Sequence, residues 1–145
     1  MSDSWDRLHR RHRLVRAVLH EIGRTGRPAV AAKFRADVHA EFGDFGGFLR
    51  EVQYRWYRAF DARLDTVLEA EPKDLPAAVA DIWTGLAEAM PASRLLLETH
   101  AQHPALRELH DHHRRALRAA TGKSLTIGPP EHRPGGRHDR YRPAG

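Results

Sequence analysis

Eleven histidines are the side chains of this sequence with the most chemical scope, since neutral imidazoles are good ligands for zinc or iron. Their spacing tests that scope. His9-Arg10-Arg11-His12 and His100-Ala101-Gln102-His103 each place two imidazoles near one helical face, and His110-Asp111-His112-His113 adds three more. A di-iron site in a helical bundle draws on Glu-x-x-His from two helices plus further inward glutamates. No glutamate in this chain is followed three residues later by histidine, and Asp6 with His9 is the one related pair. His-x-x-x-Glu is missing as well. His110-Asp111 lacks an assignable upstream histidine and downstream aspartate with which to complete a hydrolytic metal site. The histidines therefore read as surface and core side chains, with His12 and His113 on apolar seams. Neither a metal nor any other cofactor is expected.

Two other clusters carry a chemical reading beside a structural one. Asp44-Phe45-Gly46 spells the metal-binding triplet of protein kinases, but 145 residues hold no matching catalytic loop or phosphate loop. A helix cap followed by packed aromatics explains it. Tyr54, Trp56 and Tyr57 interleave with Arg55 and Arg58, a pattern able to stack bases. On a helix, Trp56 turns to the apolar stripe while Tyr54 and Arg58 point elsewhere, so a core face with a solvated flank is the better reading. The absence of cysteine excludes disulfides, thiolate zinc sites and a thiol nucleophile together. No catalytic residue is assigned, and no enzymatic activity is expected.

The elements that must position these groups are helices. Phe45, Phe48, Leu49, Val52, Trp56, Phe60, Leu64, Val67 and Leu68 recur at steps of three and four, which predicts a long helix from Phe45 to about Glu71, stopped by Pro72. Before it, Gly43 can end a helix in a left-handed conformation and the Asp44 carboxylate can accept the next helix's first free N–H groups. Upstream, Trp5, Leu8, His12, Val15, Leu19 and Ile22 trace an apolar seam on a first helix, from an N-cap at Ser4 to about Gly23. Arg7, Arg10 and Arg13 fall on its opposite face, flanked by Arg11 and Arg16. Pro28 suits the first turn of a second helix carrying Val30, Phe34, Val38 and Phe42. Asp74 caps a fourth, with Leu75, Val79, Ile82, Trp83, Leu86 and Met90 inward, and Pro91 separates it from a short helix holding Leu95, Leu96 and Leu97. Pro104 opens the last helix, whose inner face reads Leu106, Leu109, His113 and Leu117.

The expected fold is all-α, a single bundle of five or six helices over residues 1–122. Residues 123–145 form a basic Gly/Pro-rich tail with four of the nine prolines and only Leu125, Ile127 and Tyr141 as sizeable apolar groups. That surface is too small to offset the entropy of ordering, so the tail is expected to be disordered and undocked.

Net charge is +5, distributed as two basic ends around a weakly acidic body. Residues 1–35 hold nine basic against three acidic side chains, residues 36–120 ten against fourteen, and the stretch from Thr121 five against two. Basic ends meet nucleic acid or an acidic protein, or serve solubility alone. With 21 arginines against 3 lysines, a single arginine carries little functional weight. No apolar run approaches the ~18 residues of a membrane span. The polar start Met1-Ser2-Asp3-Ser4 has no signal core, so the chain is expected in the cytoplasm, without a membrane partner.

Five segments together suggest a family. Leu14-Val15-Arg16-Ala17-Val18-Leu19-His20-Glu21-Ile22 is followed by a glycine turn; His39-Ala40-Glu41-Phe42-Gly43-Asp44 leads into Phe48-Leu49-Arg50-Glu51-Val52; and Leu95-Leu96-Leu97 precedes His103-Pro104-Ala105-Leu106. From about Arg11 to Ala120 the chain resembles the tetracycline-repressor family of one-component regulators. The resemblance implies a basic first helix, a helix-turn-helix, and an aromatic-glycine junction into a long connecting helix. Only the sixteen residues 27–42 lie between turn and junction, too few for a supporting helix, a turn and a recognition helix. The family's two dimerisation helices have no counterpart after Ala120.

The expectation is a small non-enzymatic, regulator-like protein that touches DNA through Arg7, Arg10, Arg11, Arg13 and Arg16. An apolar ligand would sit among Trp56, Phe60, Trp83, Leu86 and Leu96. The alternative is a protein–protein adaptor without DNA binding, and a third reading is a His-rich metal-binding protein. Tyr54, Trp56, Tyr57 and Phe60, with the seams of the first and last helices, exceed what one small bundle covers, which points to a homodimer.

Overall fold

The computed structural model describes residues 2–123 and residue 125. Among the described residues the fold is all-α, with six α-helices and one short 3-10 turn. In chain order these are α1 (Asp3–Thr25), the turn Ala32–Phe34, α2 (Arg35–Phe42), α3 (Phe45–Glu69), α4 (Leu75–Ala89), α5 (Pro91–Thr99) and α6 (Pro104–Thr121).

α3 is the centre because its long apolar stripe lets it bury side chains against four other helices. It packs against α2, α4, α5 and α6, while α1 lies against α2 and α5. Phe48, Leu49 and Phe60 are wholly covered, and Val52, Trp56, Tyr57 and Leu64 nearly so. Each such side chain contributes roughly 1.5–3 kcal/mol through burial. Val79, Ile82 and Leu86 of α4, Leu96 and Leu97 of α5, and Leu106 and Leu117 of α6 complete the core.

The α2–α3 junction follows from three residues. Gly43 has φ 83°, and its N–H donates to the His39 carbonyl at 2.9 Å, closing α2. Asp44 is extended, and its Oδ1 accepts the Gly47 N–H at 2.7 Å. At Gly47 a Cβ would collide with the Phe42 carbonyl oxygen, so glycine is required there for space rather than for backbone freedom. The helices meet closely enough for Phe42 and Phe45 to flank Phe48, with ring centroids 5.6 and 6.5 Å away. Asp74 Oδ1 caps α4 by accepting the Ala77 N–H at 3.1 Å, as expected. α6 is capped by an imidazole: His103 Nδ1 accepts the Ala105 N–H at 3.1 Å ahead of Pro104.

Four expectations need correction. α1 starts before Ser4, with Ser2 at its N-cap and no side-chain cap bond, and it ends beyond Gly23 with Gly26 at φ 69°. Its buried stripe runs through Val15, Val18 and Ile22, with Arg11 and Leu14 half-buried, so the face toward the body is rotated from the seam traced by Trp5, Leu8 and His12. All three of those are exposed. The second helix begins at Arg35 rather than near Pro28: Ala31 is extended, and Val30 reaches the core from a loop. Apolar groups four apart need not share a helix when a loop can deliver one of them. Lastly, Leu125 is buried against the body, contrary to an undocked tail. Of residues 123–145 the rest, apart from Lys123, lies outside the described residues.

Candidate interaction surface

The five arginines expected to face nucleic acid do not form one surface. Arg10 Nε pairs with Glu41 Oε1 of α2 at 3.1 Å. Arg11 lies over the Phe42 ring, its guanidinium carbon 5.4 Å from the centroid, with a buried Nε that has no hydrogen-bond partner. These two are turned toward α2, and Arg10, Arg13, Asp37 and Glu41 share a cleft of about 230 Å³. Arg7, Arg13 and Arg16 are exposed and make no ion pair among the described residues. The acidic groups on α2 thus neutralise part of the α1 basic face, a pairing invisible to a helical wheel.

The exposed stripe of α1 has a different make-up. Trp5 is 53% and Leu8 62% exposed, more than the other exposed large apolar side chains of the described residues, Tyr54 and Leu68. Trp5, Leu8, His9, His12, Arg13 and Arg16 follow one another at alternating steps of three and one and cover adjoining parts of the helix surface. The Trp5 indole meets the His9 ring edge-on at 4.4 Å. His12, expected in the core, instead accepts at Nδ1 from an Arg55 N–H at 3.1 Å, while Arg55 Nε holds Glu51 at 3.2 Å. Residues 2–10 are all exposed, so the first turns of α1 stand clear of the body.

The expected ligand pocket is core. Trp56, Phe60, Leu86 and Leu96 are buried among other apolar side chains and Trp83 is half-buried against them. The clefts of the surface have other walls. The expected self-association surface is altered for the same reason: Trp56, Tyr57 and Phe60 are covered, and only Tyr54 of that set is exposed.

One titratable cluster lies inside the bundle, between α3 and α6. His113 is buried as expected; its Nε2–H donates to Asp61 Oδ1 at 2.9 Å, and its ring stacks on Tyr57 at 3.8 Å. His113 Nδ1 is buried without a partner. The Tyr57 hydroxyl and His110 Nδ1 are hydrogen-bonded at 3.3 Å. Burial, reinforced by the carboxylates of Asp61 and Asp111, pushes the Tyr57 phenol well above its usual value. Burial likewise holds His110 below its ordinary value, with Arg114 adding to the effect. A histidine paired to an aspartate could orient a nucleophile, but the group stacked on it is a phenol held protonated. Among the described residues no group of three or more His, Asp or Glu side chains is placed to hold a metal ion.

A cleft of about 370 Å³ opens between the loop before α2, α2 itself, the α2–α3 junction and the end of α5. A basic one of about 350 Å³ lies along α6 between Asp111, Arg114, Arg115, Arg118 and Leu125. Sequence reasoning missed both: the first joins residues 29–45 to His100, and the second depends on Leu125 lying beside α6. The segment between Arg24 and Asp44, on which DNA reading depends, contains one 3-10 turn and one eight-residue α-helix rather than two crossing helices. No described helix is long and apolar enough to cross a membrane. Neither a family model, nor a curated protein, nor a solved structure matches this chain.

Proposed function

We propose that this protein is a non-enzymatic docking module that engages another protein through the exposed first turns of α1. One observation carries the reading: a rigid, amphipathic helical arm presents Trp5 and Leu8 to solvent instead of burying them. Large apolar side chains on one helical stripe fit the groove-binding mode of helix recognition, and tryptophan is over-represented among residues that dominate binding energy. Arg13 and Arg16 flank that stripe without acidic partners, so the complementary surface is an apolar groove rimmed by carboxylates.

A photo-reactive residue in place of Leu8, in cells, should give one discrete crosslinked protein that the same residue at exposed Asp65 does not give. Trp5→Ala should remove the product, and in purified form should weaken the pair at least tenfold, the usual scale for a buried aromatic anchor at ~1.4 kcal/mol per decade. No product at position 8, or one insensitive to Trp5, would sink the reading.

The regulator reading stands second, favoured by Arg7, Arg13 and Arg16 being exposed and unpaired. Each phosphate contact should contribute about 0.9 to the slope of log affinity against log salt. With Arg10 and Arg11 turned to α2, replacing Arg7, Arg13 and Arg16 together should flatten the slope by roughly two to three units. Absence of duplex binding even at about 50 mM salt would remove this reading and leave the first untouched.

A further inference from the structure

We infer that the cleft between α2 and the end of α5 is a binding site for a small carboxylic acid with an apolar body. At about 370 Å³ it is in the lower part of the range of ligand pockets, roughly 300–1,000 Å³, so the ligand is small. Its apolar walls come from Val30 and Val38, both largely buried, and from Ala29 and Phe45. Those four cannot recognise a charge. They suit a ring or a branched chain.

The polar side of the cleft is made by Arg35, His39, Asp44 and His100, with Arg35 its one fixed cation. Arg35 lines it and makes no ion pair among the described residues, although its neighbour Lys33 reaches Glu21 at 3.6 Å. The one carboxylate in the wall, Asp44, is already committed: its Oδ1 accepts the Gly47 N–H at 2.7 Å at the start of α3, where the helix dipole favours negative charge. Arg35 itself makes no ion pair among the described residues, so its guanidinium donors remain available to a ligand. His100 stands on the facing wall with its Nδ1–H donated to the Leu96 carbonyl at 2.9 Å, so Nε2 is the ring nitrogen left for a ligand. Its ring is fixed edge-on against Phe45 at 4.9 Å. A planar guanidinium beside an apolar floor matches a carboxylate bidentately. A phosphate dianion would call for more donors than a single arginine provides.

Such a site is independent of the α1 arm, and its ligand would touch α2, α3 and α5 at once. Phenylacetate, titrated into the full chain and followed by backbone and side-chain NMR, is the probe; 2-phenylethanol is its uncharged counterpart. Phenylacetate should give saturable shifts at Val38, Phe45 and His100, and the alcohol should bind about tenfold or more weakly, as expected for loss of a charge-assisted pair. Arg35→Gln should reduce phenylacetate to the level of the alcohol. Ala29→Trp, a change on the exposed loop that fills the cleft, should abolish both. Shifts that do not saturate, equal binding of acid and alcohol, or an Arg35→Gln affinity within about twofold of the original would overturn the assignment.

Discussion

The two halves of α1 carry apolar residues at similar spacing and meet opposite fates. From Val15 onward the helix buries Val15, Val18 and Ile22 against α2 and α5. Before Leu14 it buries no apolar side chain, and Trp5, Leu8 and His12 face solvent. A helical period shows that a face exists, but not how far the partners that cover it extend. α2 is only eight residues long and α5 nine, so together they cover one half of a twenty-three-residue helix. α3 shows the contrasting case, since four helices surround it and its aromatic stripe is closed off.

The sharpest way to break this comparison uses two tryptophans. Trp56→Ala should cost about 3–5 kcal/mol, the usual range for truncating a large buried aromatic. Trp5→Ala should stay within about 0.5 kcal/mol, as for exposed positions generally. Urea midpoints of both variants decide it, and a large loss at Trp5 would mean that the arm is folded back onto the body.

Within α1 itself, Ile22→Ala should cost about 2–4 kcal/mol while Leu8→Ala changes almost nothing. Equal losses in denaturant titrations would show both halves to be covered.

The opposite end of the chain provides a milder contrast. Leu125 is 8% exposed where Leu8 is 62% exposed. Leu125→Ser should lower stability by about 1–2 kcal/mol, below the full value of a buried leucine because one anchor of a chain end also loses ordering entropy. An unchanged midpoint would return Leu125 to the undocked tail that composition suggests.

The smallest effect concerns pH. Since the native fold holds His110 below its ordinary value, the unfolded chain takes up that proton first. Stability should therefore fall as pH drops through about 6.5 and level off once the native ring is also protonated. At higher pH the neutral ring, hydrogen-bonded to Tyr57, carries no such penalty. Comparing urea midpoints at neutral and mildly acidic pH should show a smaller difference in His110→Gln than in the unaltered protein. A difference of the same size would remove His110 from the pH response.

Much of the fold was legible in the sequence. α3, its Asp44 cap and its stop before Pro72 follow from apolar period, one carboxylate and one proline, and α4, α5 and α6 begin at or next to the prolines and the cap that announce them. His113 was recognisable as a core histidine because it continues the Leu106–Leu109–Leu117 face. The candidate surfaces were far less legible. Arg10 and Arg11 look like outward cations until Glu41 and Phe42 are brought beside them, and no local signal separates them from Arg7 or Arg13. The cleft around Arg35 was missed because Val30, Phe45 and His100 are distant in sequence.

By itself, then, the sequence determined the elements: amphipathic period, caps, glycines and prolines act over one or two helical turns and leave their marks on neighbouring residues. Which stripe of α1 is buried, which arginines stay unpaired, which aromatics are covered and where clefts open were decided only by tertiary structure. Those outcomes depend on the length and angle of the helices that happen to lie alongside, and on pairings between residues as far apart as Arg10 and Glu41 or Asp61 and His113.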